Sequence, residues 1–561
     1  MGGLAIQVRP AEAAKASTEV PKPIRLATRV DDVAAATVAP RDRANTLHVC
    51  CLGLLTVLSG QYYGWNVAFT TGFAPFAVSQ LVMALTYVVY VSCAAEVCGK
   101  IAFSGGVYGL SRVTLGYYVG YMVGCLELLE YIAASSVSIV YLGRFLTFTL
   151  DLSAEWALLA WLFVYSVCIG CVALPGRFLW PLVVVLAVLS LLPSVLFIGG
   201  TIQLANLEKF GAYADAQDRM QRVWASGTIV SAYLAWLPYT TWAYAGVECL
   251  SLVTDMTNSP KVTVPRGMLY CIGVLFVSNF AIVCLVPSLP PGIASAATAA
   301  YPLTNGFRLA YDLSASSSAW LVFPAHVGAA LGFLRPSGRL VQALADSSLL
   351  PPWLGLKSAA YTGRWKAVTI ASMFGYVLCV LSYFFQVFAK ALPHLAMLAA
   401  CGCYAAQLVG FILLRTSYKA ECHGYRSPFG IGSAVLAIGS FGILAISILG
   451  AFQDDDGVAA LTYLAYVVVI SLYYYVACKD RQTVSKDEYA SIFRFTIIKF
   501  NNMKRRMTRQ NQRKSSQWTK VISLLQSNST LSSSNRVSYV DVGVNRGSRL
   551  SQPRRMSIAP K

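Results

Sequence analysis

The chain alternates long apolar runs with short polar segments. A membrane-crossing helix needs about twenty mostly apolar residues. Twelve runs approach that length: residues 46–70, 74–97, 115–147, 156–174, 178–199, 226–254, 266–287, 317–345, 366–386, 390–414, 431–451 and 457–478. The third, sixth and eighth exceed one bilayer crossing, so they are expected to tilt or project beyond it. An Ala-rich polar leader occupies residues 1–45, and a basic, Ser-rich tail occupies 479–561. The first apolar run starts too late, and runs too long, for a cleaved signal peptide. The pattern predicts an all-α membrane protein with about twelve transmembrane helices over 46–478, a disordered cytosolic leader and a cytosolic, largely disordered tail.

Composition supports that reading. Apolar and aromatic residues make up 56% of the chain and charged residues only 12%, against about 25% charged in a soluble domain. Too few charges are present to coat a water-soluble fold of this size. The net charge of +19 does not point to nucleic acid, because the basic residues gather in the termini and in the loops of one side. With the N-terminus inside, thirteen Lys and Arg, among them Lys100, Arg112, Arg177, Lys261, Arg335 and Arg415, fall in inner loops. Only six fall outside: Arg144, Lys209, Arg219, Arg222, Arg308 and Lys390. This is the positive-inside bias. It predicts two cytosolic termini and therefore an even number of spans. Residues 494–520 interleave Lys499, Lys504, Arg505, Arg506, Arg509, Arg513, Lys514 and Lys520 with Phe500 and Trp518. Two readings fit this segment: an anchor on anionic inner-leaflet lipid that phosphorylation releases, or a solvated flank to the last span. Ser515, Ser516 and Ser557 follow basic residues and are candidate kinase sites; the Asn528-Ser529-Thr530 sequon is expected in the cytosol and unused. Most of the fifteen cysteines lie within apolar spans, where cysteine acts as a small hydrophobe. The Cys168–Cys171 pair has no second ligand pair, so no metal site is read.

Two runs are interrupted midway. The first meets Ser59-Gly60-Gln61-Tyr62-Tyr63-Gly64-Trp65-Asn66, and the sixth meets Trp242-Ala243-Tyr244-Ala245-Gly246-Val247-Glu248. Glycine permits unwinding and lets a ligand approach the backbone. Unwound backbone at membrane depth is tolerated only where it lines a cavity. A break leaves free N–H groups that attract an oxygen, and free C=O groups that accept from an ammonium. Breaks in the first and sixth spans are the sequence pointer to an inverted-repeat transporter, with spans 1–5 paired to 6–10 and two helices following. Glycines that serve only helix packing would leave the same letters.

The segment Thr241–Glu248, with Asn258-Ser259-Pro260-Lys261 and Val264-Pro265-Arg266-Gly267, resembles the sixth helix of the amino acid–polyamine–organocation permeases. Ser59–Asn66 and Leu126-Glu127-Leu128-Leu129-Glu130-Tyr131 are similar to the ethanolamine permease branch. Glu96 with Ser104-Gly105-Gly106-Val107-Tyr108 matches the loop after helix 2; Ser337-Gly338-Arg339 with Asp346 and Leu350-Pro351 matches the loop after helix 8. The likeness covers about 46–478. It departs where the family's proline before Gly-Gly gives way to Ala102-Phe103, in the few glycines of the first break, which weaken the case for an α-carboxylate, and in having no lysine over 178–200, where some proton-coupled relatives carry one.

The resemblance implies that Glu130 lines the side-chain end of the substrate, that Trp242 is the aromatic lid over it, and that Glu248 belongs to an inner gate. The candidate substrate-binding set is Ser59, Gly60, Gln61, Tyr62, Tyr63, Gly64, Glu130, Tyr131, Ser135, Trp242, Tyr244, Ala245 and Gly246. Glu127, Glu248 and Trp242 are the candidates for gating or proton coupling. An ionisable group inside a span is costly and marks function. Glu127 and Glu130 are three apart and share a helix face, so their repulsion is expected to leave one of them holding a proton. For the aromatic residues the alternative is core packing. His326, inside the eighth span, relays protons or hydrogen-bonds a neighbouring helix and is left out of the site.

The leading functional reading is a secondary active permease for small amines or amino acids, ethanolamine among them, placed in the plasma membrane and working by alternating access. No cofactor is expected beyond a coupling ion, H+ or Na+. A nutrient receptor on the same frame is the alternative, as is a polyamine or choline transporter. An enzyme is disfavoured: neither HExxH nor GxSxG occurs, and the four histidines are scattered.

Overall fold

The computed structural model describes residues 40–530 apart from 102–104, 154, 213–228, 352–360, 418–423, 454 and 485. The leader before Pro40, Ala102-Phe103, Ser104, Arg219, Arg222, Lys357, Lys419 and Ser557 lie outside the described residues. Two compact units divide the chain, Met1–Lys499 and Phe500–Lys561.

Among the described residues the first unit is helical, with one isolated β-bridge between Ala44 and Thr257. Helix α1, Thr46–Val57, starts at Asn45, whose side chain accepts from the His48 N–H at 2.9 Å; this satisfies one of the orphan donors of a helix start. The next helices are α2 (Phe73–Lys100), α3 (Gly106–Thr114), α4 (Tyr117–Thr149), α5 (Trp156–Val172) and α6 (Gly176–Thr201). Then come α7 (Ile229–Thr241) and α8 (Pro260–Leu285), the second opening with proline in its first turn, where no N–H is needed. Helix α9 (Ala315–Asp346) is capped by Ser314, which accepts from Ser317 N–H at 3.1 Å. Helices α10 (Tyr361–Phe384), α11 (Gln386–Thr416), α12 (Gly430–Leu449) and α13 (Val458–Tyr473) complete the set.

Nine helices among the described residues are long and apolar enough to cross a membrane. They coincide with nine of the twelve expected spans. The other three correspond to shorter helices, α1, α5 and α7, two of which end at the expected interruptions. Helices α2, α4 and α11 are mostly buried, whereas only a minority of the residues of α6, α12 and α13 are buried. The exposed side chains of the outer helices are apolar, including Phe163, Leu436 and Val476, as a lipid-facing surface requires. Small residues bring the inner helices together. A Cβ on Gly332 of α9 would stand 2.8 Å from the Thr56 Cα of α1, so these helices touch nearly backbone to backbone.

After α13 the chain makes a π-helical turn, Tyr474–Cys478, and is tied to the end of α9. Thr483 N–H donates to Ser347 O at 3.0 Å, and Arg481 donates to Ser348 O and Leu350 O, each at 3.2 Å. Arg112 of α3 donates to Thr483 O at 3.2 Å.

The tail was expected to be largely disordered, yet Lys486–Thr530 forms one helix, α14. Its residues explain this. Lys, Arg, Gln and Met favour helix, and Phe500, Met503, Met507 and Trp518 recur on one stripe. The second unit, described over 500–530, therefore carries an exposed apolar stripe and the exposed basic residues Lys504, Arg509, Arg513 and Lys520.

Candidate functional site

Both expected interruptions are present. Regular α1 bonding stops at Val57; a 3-10 turn covers Leu58–Gln61, Gly64 takes a φ of +78°, and a second 3-10 segment covers Asn66–Thr71. Helix α7 stops at Thr241. The Tyr244 and Ala245 N–H groups turn back to Thr241 O, each at 2.9 Å, and a 3-10 segment, Val247–Met256, follows. Gly246 makes the turn at a φ of +114°, a left-handed conformation that side-chain-bearing residues rarely adopt. The breaks cross each other: Gly60 lies directly against the Trp242 carbonyl.

A cavity of about 90 Å³ opens at this crossing. Its wall takes Thr56, Val57, Ser59, Gly60 and Tyr63 from the first break and Trp242 and Ala245 from the second. Helix α4 adds Ala134, Val137, Ser138 and Tyr141; α9 adds His326 and Phe333; α11 adds Pro393, Ala396 and Met397. Among the described residues of that wall, none is acidic and none is Lys or Arg. Trp242 packs on Tyr239, with ring centroids 4.8 Å apart, and Tyr63 on Tyr141 at 4.0 Å.

Beside the cavity lies a group of buried carboxyls. Phe333 lines the cavity on one side; Tyr131 lies 6.2 Å from its ring, and Gly246 presses against it. Behind this layer Tyr404 of α11 places its hydroxyl 3.0 Å from Glu130 Oε1 and 3.3 Å from Glu248 Oε1. The two carboxyl groups are thus joined through one hydroxyl. Gly246 N–H donates to Glu248 Oε2 at 3.1 Å, while Glu130 Oε2 has no donor among the described residues. Glu127 is held separately, by Tyr131 OH at 3.1 Å and by Tyr108 N–H at 3.3 Å. Glu130 thus shares the Tyr404 hydroxyl with Glu248, while Glu127, three residues away on the same helix, takes other partners. One turn of α4 aims the two glutamates at different partners, and the second break brings Glu248 in from elsewhere in the sequence.

Two ion-pair groups stand apart from this centre. Glu96 accepts from Lys100 at 2.5 Å, from Arg415, and from Ser427 N–H at 2.8 Å. Asp255, at the end of the second break, pairs with Arg339 of α9.

The sequence profile of the amino acid permeases matches residues 62–488. The chain belongs to the amino acid permease family, within the amino acid–polyamine–organocation superfamily. An uncharacterized transporter from Rhizobium meliloti (strain 1021) is 23% identical over 367 residues, 60% of this chain and 74% of that protein. The chain is thus a multi-pass membrane permease and not an enzyme.

Of the residues expected in the permease's binding site, Ser59, Gly60, Tyr63, Trp242 and Ala245 line the cavity. Gly64 lies against the Trp242 ring and Gly246 against Phe333. Others turn away from it. Gln61 is buried and bonded to Ser278 at 3.0 Å, and Tyr62 OH donates to Ser190 O at 2.5 Å. Tyr244 OH accepts from Gln80 at 3.0 Å and Asn279 at 2.9 Å, and Ser135 bonds back to Ile132 O at 2.9 Å. Tyr131, Glu127, Glu130 and Glu248 form the carboxyl group and not the cavity wall. Gln61, Tyr62 and Tyr244 sit in or beside the irregular turns of the two breaks, which send neighbouring side chains to different sides, whereas Glu127, Glu130, Tyr131 and Ser135 occupy positions of α4 off the cavity wall.

Several wall residues escaped the sequence reading. Ala134, Val137, Ser138 and Tyr141 continue the helical stripe that begins at Glu130 at spacings of three and four, so helical spacing was the available signal. His326 was visible as an ionisable residue in a span. Tyr404 carried no local signal; only the packing of α11 against α4 and the second break reveals it.

Proposed function

We propose that this permease is a secondary active transporter that carries a small amine or amino acid, ethanolamine among the candidates, by alternating access. The observation that carries this reading is the cavity where two interrupted helices cross. It supports a solute with an ammonium group, which the Trp242 and Tyr63 faces attract. Its small volume favours a compact solute over a polyamine. The nine long helices with α1, α5 and α7 make a twelve-span, five-plus-five inverted repeat followed by two helices. Trp242 closes over the solute, and the layer of Phe333 and Gly246 separates it from an inner gate at Glu248.

The coupling ion in this reading is the proton. Two buried carboxyls that share one hydroxyl, with one oxygen lacking a donor among the described residues, are satisfied when they hold a proton jointly. Glu130 and Glu248 are that pair, with Tyr404 able to donate to either. The termini lie in the cytosol of a plasma-membrane protein, and the basic face of α14 suits anionic lipid.

The test is uptake into proteoliposomes of a panel of labelled amines and amino acids under imposed proton or sodium gradients. Accumulation driven by a proton gradient supports the reading. Binding without accumulation under any gradient overturns transport and favours the receptor alternative.

A further inference from the structure

The cavity wall holds hydrogen-bonding groups that the protein itself leaves unused. The plainest is His326. It is only 4% exposed, on α9, and lines the cavity. Its contact within the protein is a ring edge: the Tyr63 centroid lies 6.2 Å away, nearly perpendicular. Among the described residues no group hydrogen-bonds its imidazole, and its nitrogens are not sealed against protein, so they open to the cavity. The hydroxyl of Tyr141, on the adjacent wall, is likewise without a described partner.

Buried polar groups are nearly always paired, and each exception calls for an explanation. Packing alone does not explain His326. An apolar ring would pack against Tyr63 without burying two polar nitrogens. The imidazole offers one N–H donor and one acceptor nitrogen. That combination matches an oxygen-bearing group, while aromatic faces serve the ammonium. Among the described residues of the wall, none is charged and His326 alone carries a ring acceptor nitrogen.

We infer that His326 reads the oxygen-bearing end of the solute, hydrogen-bonding a hydroxyl or carboxyl oxygen while the ammonium lies against Trp242 and Tyr63. It is then the residue that separates oxygen-bearing small amines from plain alkylamines. This rests on the reading of the cavity as the transport site. A site built to hydrogen-bond a substrate group rejects the analogue lacking it, because its own polar atoms are then left unpaired.

The experiment measures binding to the purified full chain in lipid nanodiscs, with ethanolamine as the hydroxyl arm, alanine as the carboxylate arm and propylamine as the arm without oxygen. The wild type is expected to prefer one oxygen-bearing compound over propylamine by about tenfold or more. His326→Phe is expected to collapse that preference, read as the ratio of affinities within the variant, to near unity. His326→Gln, which keeps a donor and an acceptor, is expected to retain part of it. Ratios within one variant do not depend on the folded fraction, and His326→Ala makes the same comparison if the Phe variant does not fold. A preference that survives in His326→Phe overturns the inference alone. An equal loss for all three compounds also overturns it, since that marks a packing role. A wild type that binds none of the three overturns both the inference and the proposed substrate class.

Discussion

The crossing of the two interrupted helices makes a sharp prediction at Gly60. A Cβ placed there would fall well inside contact distance of the Trp242 carbonyl oxygen, 2.5 Å from its carbon and 3.1 Å from the Ala243 nitrogen. Carbon atoms not bonded to each other rest about 3.5–4.0 Å apart. Gly60→Ala therefore asks the two segments to part by roughly an ångström. Overpacking of this kind costs about 1–3 kcal/mol. The upper end applies because both sides of the clash are backbone, with no side chain to rotate away. The cavity wall includes both Gly60 and Trp242, so the same movement should weaken solute binding by about tenfold or more. Thermal unfolding of the purified protein, with and without solute, reads both effects. Gly273→Ala is the control, because a Cβ there meets nothing within 4 Å; it should unfold and bind as the wild type does. Gly60→Ala indistinguishable from that control in both measurements would refute the backbone contact and, with it, the geometry of the site.

Other outcomes follow from the same structure. Leucine at Gly246 must adopt a φ of +114° and press on Phe333, 2.9 Å from the new Cβ; the conformation alone costs roughly 1–2 kcal/mol, and solute binding should vanish, so full binding would show that the second break tolerates a side chain. Glu130→Gln should cut uptake of a cationic solute and flatten its dependence on an imposed proton gradient while leaving membrane insertion intact; unchanged kinetics would remove Glu130 from the coupling site. Deleting residues 485–561 should leave uptake and melting temperature unchanged, whereas deleting 479–561 should lower the melting temperature, because Arg481 and Thr483 then release the carbonyls of Ser347, Ser348 and Leu350, each bond being worth about 1 kcal/mol. Equal melting temperatures for the two deletions would show that this strap holds nothing.

The membrane class, the long helices and both interruptions could be read without coordinates. Apolar run length and mid-span glycine depend on local sequence and on the bilayer, and both act residue by residue. Locating Gly60, Tyr63 and Trp242 at a shared site was possible for the same reason. Gln61, Tyr62 and Tyr244 belong to the same motifs but turn toward Ser278, Ser190 and Asn279, and no pattern of letters states which way an irregular break points each side chain.

The sequence by itself determined that this chain spans a membrane, where its helices lose their regular bonding, and that ionisable groups are placed inside spans at a cost that marks function. Only the tertiary structure decided that Glu130 and Glu248 share the Tyr404 hydroxyl, and that His326 opens onto the cavity. These are relations between segments distant along the chain. They follow from how small residues let helices approach and how each break aims its side chains, which are properties of packing and not of any single stretch of residues.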